Sequence, residues 1–406
     1  MIERRNYTDM IKLYMDKPFI KIITGVHRSG KTTILRWVSR ELKRRGVEEE
    51  QILYVDYEAF DYGPKGDLEI LREQARIFSE TKGKRLYLLL DEIQYLSGWE
   101  TAILGLYKKC DCDIYLTGAR AGLLYPQTTS LLAGNYVEIP IYPYSFSEFL
   151  EQMQESRPDE SRSDTEWFQD FYWNGSMPGL YRLQAGREVT DRYLLDVCKS
   201  ALLQDAVRLG GLRNVGQLWT LLGYLALHLG EPLSPKTISD GLNGDGCQVS
   251  KDTVYGMVRA LENSQIICRI MRMDIREERI VETREKYYFA DWGMCHALRG
   301  RAFPETAAVL ENIVCLELLA RGFRVYRGKL GRREFDFLVE RGRKKYAIQV
   351  REHVKGPMEL VEAAGPLVSL KGPYAKMILT MDPGQEWNEK YEIRRRYLVD
   401  FLMDIV

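Results

Sequence analysis

The chain has 406 residues, of which 45% are hydrophobic and 29% charged, so it holds about two or three domains with sizeable cores and is too apolar to be disordered. Lys plus Arg and Asp plus Glu number 58 each, which excludes a global basic field for nucleic acid and leaves only a local patch for such a contact. Seven cysteines without C-x-x-C, and four isolated histidines at 27, 228, 296 and 353, exclude a disulfide framework and zinc spacing and point to a reducing cytoplasm. The charged start MIERRNYTDM lacks the apolar segment of a signal peptide. The longest apolar stretch, around 218–229, is too short to span a bilayer, so no membrane partner is expected.

Residues 1–150 alternate strands and helices. The apolar runs at 19–24, 51–56, 85–90, 113–117 and 136–141 read as strands, with helical periodicity between them. That order predicts an α/β domain with a parallel sheet covered on both faces. The polar stretch 151–167 reads as a boundary, and 168–212 looks helical, interrupted at GSMPGL.

The first strand runs into GVHRSGKTT, residues 25–33, which matches the phosphate-binding pattern G-x-x-x-x-G-K-[ST] at a strand-to-helix turn. Gly25 and Gly30 let the backbone curl so that the N–H groups of Val26, His27, Arg28, Ser29 and Gly30 surround an anion, and the helix beginning near Lys31 adds its positive end. Lys31 is expected to reach the β- and γ-phosphates, and the Thr32 hydroxyl to ligate Mg²⁺, with Thr33 beside it. The third strand ends in LLLDE. Asp91 is expected to hold Mg²⁺ opposite Thr32, and Glu92 to polarise the attacking water. ATP and Mg²⁺ are therefore the expected ligands, with Lys31 and Glu92 the catalytic pair. Thr117, closing the next strand, either senses the γ-phosphate or simply ends its strand.

Residues 213–290 give three helical segments and two β-like runs, the order of a winged helix-turn-helix. Lys251 and Arg259 on its last helix, with Arg269 and Arg272 beyond, are the expected DNA contacts. Asp252 and Glu262 dilute that charge, so docking of a protein stands as the alternative. In residues 291–406, Glu311, Asp336, Gln349 and Arg351 follow the spacing of a metal-dependent nuclease. Its third carboxylate and its lysine are replaced by Gln349 and Arg351, so cleavage is not expected.

Taken together, ITGVHRSGKTT, LLLDEIQYLSGWE, YVEIPIYPYSFSEFL, GSMPGL, KYYFADWGM, LENIVCLELLARGF and GKLGRREFDF resemble the bacterial and archaeal AAA+-type P-loop ATPases that carry a C-terminal domain of unknown function. The resemblance implies an ATPase core (1–150), a helical lid (151–212), a winged helix (213–290) and a degenerate PD-(D/E)xK nuclease-like domain (291–406). It implies an ATP hydrolase that couples nucleotide state to a DNA- or protein-binding module, or alternatively a slow-turnover signalling or defence switch whose winged helix docks a protein partner. The chain departs from the family at His27, at Ala119-Arg120, and at Gly134-Asn135, where the family carries Gly-Arg.

Overall fold

The computed structural model describes residues 2–404, apart from 59–68, 70, 72, 74, 77–83, 120–122, 125–129, 184–185, 204–206, 208–213, 301–305 and 390. Arg120, one of the departures from the family pattern, lies outside the described residues.

Five parallel strands form the first sheet: β1 (Ile20–Thr24), β2 (Ile52–Asp56), β3 (Leu86–Asp91), β4 (Cys112–Gly118) and β5 (Tyr136–Pro140), in the order β2-β3-β4-β1-β5. β1, β3 and β4 are buried along their whole length, which is why they read as continuous apolar runs rather than alternating ones. Successive side chains serve opposite faces. Ile22, Leu88, Leu90 and Ile114 meet Trp99, Ile103 and Leu106 of the helix Trp99–Lys109. Ile23, Leu89 and Tyr115 meet Tyr7 and Ile11 of helix Arg5–Tyr14 and Ile34, Leu35 and Val38 of helix Lys31–Arg44. β4 lies between β1 and β3, so the ends of all three strands converge where the loop 25–33 leaves β1.

Helices Phe146–Ser156, Asp164–Asn174 and Arg187–Ala201 follow. Next come Val215–Leu227, Pro235–Gly244 and Lys251–Asn263, capped by Asn214, Ser234 and Ser250. Strands β6 (Ile267–Asp274) and β7 (Arg279–Phe289) form an antiparallel hairpin. The hairpin does not end there. β6 pairs in parallel with β8 (Arg324–Leu330), so the hairpin continues through β9 (Arg333–Arg341), β10 (Lys344–Arg351), β11 (Ala375–Thr380), β13 (Ile393–Tyr397) and the edge strand β12 (Gln385–Asn388) as one eight-stranded sheet.

One apolar cluster spans Val26, Phe146, Phe171, Leu222, Tyr288, Val314 and Leu402, joining the parts beyond the first sheet. Two of the quoted sequence stretches meet inside it. Asp291 accepts from Met294 N (3.2 Å) at the start of helix Trp292–Leu298 and from the Ser176 hydroxyl (2.9 Å). Gly175 and Gly293 have no room for a Cβ beside that carboxylate, which accounts for both glycines.

Candidate functional site

The loop 25–33 is closed at its base by Gly25. A Cβ there would lie 2.5 Å from the Ile141 carbonyl and 2.6 Å from Ser29 Oγ, so only glycine lets the loop reach β5. Arg28 (φ 65) and Gly30 (φ 107) take the left-handed conformation, which turns successive N–H groups toward one side. Among the described residues, His27, Arg28 and Gly30 donate no backbone hydrogen bond. These are free donors at the start of helix Lys31–Arg44, the arrangement that receives an anion.

Lys31 is buried. Its Nζ donates to the Gly25 carbonyl (3.1 Å) and lies 3.1 Å from Glu92 Oε1. The other Glu92 oxygen accepts from Gln94 Nε2 (2.6 Å). Burial pushes the Glu92 carboxyl up, but Lys31 and Gln94 outweigh it and the net shift is downward, so Glu92 is ionised. Its backbone is left-handed (φ 51), a costly conformation for glutamate that is held by its N–H on Thr117 Oγ1 (2.9 Å). Burial lowers the His27 pKa to about 4, with Lys31 and Arg28 adding to the effect against Glu92. The imidazole is therefore neutral near pH 7.

Asp91 is buried beside this pair. It accepts from the hydroxyls of Thr117 and Thr32 and from Tyr54 OH (3.0 Å). Burial is the main force raising its pKa; Glu92 adds to it and the three hydroxyls oppose it. The Thr32 hydroxyl and the Asp91 carboxylate thus meet at one point, a pair of hard oxygen donors suited to a divalent cation next to the loop. The expected residues of the loop and of β3 are brought together. Tyr54 and Gln94 belong with them too, and neither carried a local sequence signal.

Arg4 is the other unanticipated neighbour. It is fully enclosed and donates to the Ser29 carbonyl of the loop (2.9 Å), to the Tyr142 and Pro143 carbonyls (2.7 and 3.0 Å), and to both oxygens of Glu148 (3.0 and 2.8 Å). Glu148 also accepts from the Ser145 N–H (3.0 Å), completing the cap of helix Phe146–Ser156. The loop is thereby braced from behind against YPYSFSE. From its front, the Arg28 guanidinium lies 5.5 Å from the Tyr193 ring of helix Arg187–Ala201.

The C-terminal residues gather elsewhere. Lys286 of β7 places Nζ 2.7 Å from Glu311 and 3.7 Å from Asp336. Tyr288 OH donates to Glu311 (2.7 Å), while Arg351 and the Val350 N–H both donate to Asp336 (3.0 Å each). Burial lowers the Lys286 pKa, but Glu311 and Asp336 more than restore it, so the lysine stays charged. An ammonium thus occupies the space between the two carboxylates. Gln349 is buried and turned to the Glu334 carbonyl (3.3 Å).

Of the expected DNA contacts, Arg269 is held by Glu262 (3.1 Å) and Glu285 (3.2 Å). Arg272 donates to the Thr283 hydroxyl (2.7 Å). Lys251, Tyr255 and Arg259 remain exposed at i, i+4, i+8, one ridge of helix Lys251–Asn263.

A family model described as an AAA domain matches residues 17–150, and one described as a domain of unknown function (DUF8612) matches residues 165–305. An uncharacterized protein of Haemophilus influenzae is 30% identical over 403 residues, 99% of each chain. An uncharacterized protein of Methanocaldococcus jannaschii is 24% identical over 352 residues, 84% of this chain and 76% of its own length. Among solved structures, the Walker-type ATPase of Pyrococcus abyssi superposes with a TM-score of 0.49 at 17% identity, covering 74% of this chain and 96% of that one. The match over residues 17–150 supports an AAA-type P-loop domain, in keeping with the parallel sheet and the loop 25–33 that leaves β1. The chain as a whole belongs to the family of the Haemophilus influenzae protein. Among the described residues, no helix is long and apolar enough to cross a membrane.

Proposed function

We propose that the chain is a slow ATP hydrolase whose nucleotide state is passed to its C-terminal half. The observation that carries this reading is the convergence of Lys31, Thr32, Asp91 and Glu92 at the anion-receiving loop. In this reading residues 25–33 hold the phosphates and Lys31 neutralises the β- and γ-oxygens. Thr32 and Asp91 would hold Mg²⁺, which supplies charge neutralisation across the phosphates. Glu92 orients the attacking water and accepts its proton. Both Glu92 oxygens are engaged by Lys31 and Gln94, so the glutamate must let go before it can act as a base, and that favours slow turnover.

The domain limits 1–150, 151–212, 213–290 and 291–406 are part of the proposal. So is a winged helix that meets duplex DNA through the Lys251–Tyr255–Arg259 ridge rather than through Arg269 and Arg272, whose charge is already spent on acids and hydroxyls. The 291–406 region is proposed not to cleave, because Lys286 supplies the cation between Glu311 and Asp336.

The test is ATP binding and phosphate release for Lys31→Ala and Glu92→Gln. Lys31→Ala should lose binding. Glu92→Gln should bind like the parent and release phosphate at least about a hundredfold more slowly. Parent-rate hydrolysis by Glu92→Gln would refute the assignment of roles.

A further inference from the structure

At the edge of the eight-stranded sheet, beside β12, opens a cleft of about 770 Å³. Its wall carries Lys371, Lys376, Arg394, Tyr374 and Trp387, and Glu392 is the acid that lines it. Trp387 lies directly across the ladder from Arg394 and is 56% exposed, an unusual position for the largest apolar side chain. Only some of the cations around it are paired. Arg395 and Arg396 pair with Glu386 (2.6 Å) and Asp404 (2.5 Å), and Lys345 pairs with Glu340 (2.9 Å). Lys371, Lys376 and Arg394 form no such pair among the described residues. In a chain of zero net charge, this is a local concentration of positive charge around an exposed aromatic face.

We propose that this cleft binds single-stranded nucleic acid. Phosphates lie against Lys371, Lys376 and Arg394, and an unstacked base lies on the Trp387 indole. The combination is that of strand-binding grooves, where cations follow the backbone and aromatic rings take bases of any sequence. A duplex keeps its bases stacked and cannot use the indole. An acidic peptide would satisfy the cations but leave the indole face in water. The site is separate from the Lys251–Arg259 ridge and does not depend on ATP binding.

The experiment is anisotropy of a labelled 15-nucleotide oligo-dT with the full chain, across salt concentrations. The parent should bind, with affinity falling as salt rises in proportion to about two or three phosphates. Trp387→Ala should weaken binding about tenfold, and Trp387→Phe should restore most of it. The triple variant Lys371→Ala, Lys376→Ala, Arg394→Ala should weaken it at least tenfold and flatten the salt dependence. Lys108→Ala with Lys109→Ala, exposed at the end of helix Trp99–Lys109, should leave it unchanged. These side chains are at the surface, so the thermal midpoints should match the parent and folding does not confuse the result. Three outcomes overturn the proposal: no binding at low salt, parent-like binding by the Trp387 and triple variants, or capture of a poly-glutamate peptide in place of the oligonucleotide.

Discussion

Lys31 and Lys286 are both buried ammonium groups set between acids, yet their surroundings are opposite. Lys31 stands on a loop with left-handed residues and undonated N–H groups, and its partner Glu92 is itself held in a left-handed conformation. Lys286 stands on β7 just past a bulge at which Arg284 is left-handed (φ 56), and its acids are also satisfied by Tyr288, Arg351 and the Val350 N–H. Removing water from two charges costs several kcal/mol unless further hydrogen bonds complete both partners. Around Lys286 that completion is internal. Around Lys31 the open donors are the N–H groups of His27, Arg28 and Gly30, which are left for an incoming anion. The same ion pair is a lock in one region and an open seat in the other.

The largest test of that contrast is a matched pair of substitutions. Lys31→Ala should abolish nucleotide affinity and also lower apo stability, because it strands the buried Glu92 carboxylate. Lys286→Ala should leave ATP affinity intact but destabilise by about 3–5 kcal/mol, because Glu311 and Asp336 are left buried together. Calorimetry and nucleotide titration on both variants decide it, and the reverse pattern breaks the comparison.

Arg4 gives the next largest effect. Arg4→Ala strands the buried Glu148 and frees the Ser29 carbonyl, so the loop should lose its brace. We expect a loss of about 3 kcal/mol in stability and at least tenfold weaker ATP binding, with Arg4→Lys recovering part of the stability but little of the affinity. Parent-like nucleotide affinity in a folded Arg4→Lys protein would assign Arg4 to folding alone.

Gln94→Ala should act in the other direction. Freed from the amide, Glu92 should reach water more often and phosphate release should rise about two- to fivefold. An unchanged rate would place the limiting step elsewhere.

The smallest effect is on pH dependence. The folded His27 pKa lies near 4, below its ordinary 6.5, so the unfolded chain takes up that proton first. Stability should therefore fall as pH drops from about 6.5 to about 4 and then level off, by about 1–2 kcal/mol after allowance for partial solvent access. His27→Gln should remove that slope in apo protein melted at a series of pH values.

Much of the first domain was legible in the sequence because its signals are local. Each expected strand of 1–150 lies within two residues of an observed one, and for β1, β3 and β4 the reason is burial on both faces, which demands an unbroken apolar run. The phosphate loop and the Asp91-Glu92 pair are likewise contiguous. The partners that complete the site are not. Arg4 meets Glu148 across 144 positions, and Tyr54 meets Asp91 across 37. A buried pairing of this kind leaves no periodicity in either segment. The same blindness made Arg269 look available for DNA, when Glu262 and Glu285 hold it from two different elements.

The parallel pairing of β6 with β8 has a consequence for synthesis. Residues 272–274 of the hairpin need residues 327–329, so on the ribosome each residue of β6 emerges 55 positions (327 − 272) before its partner in β8 exists. Until then β6 presents an open edge to other nascent chains. Distant pairings of this type also form slowly. A chain halted near residue 290 would keep that bare edge permanently, so such a fragment should be prone to aggregate whatever the integrity of its ATPase domain.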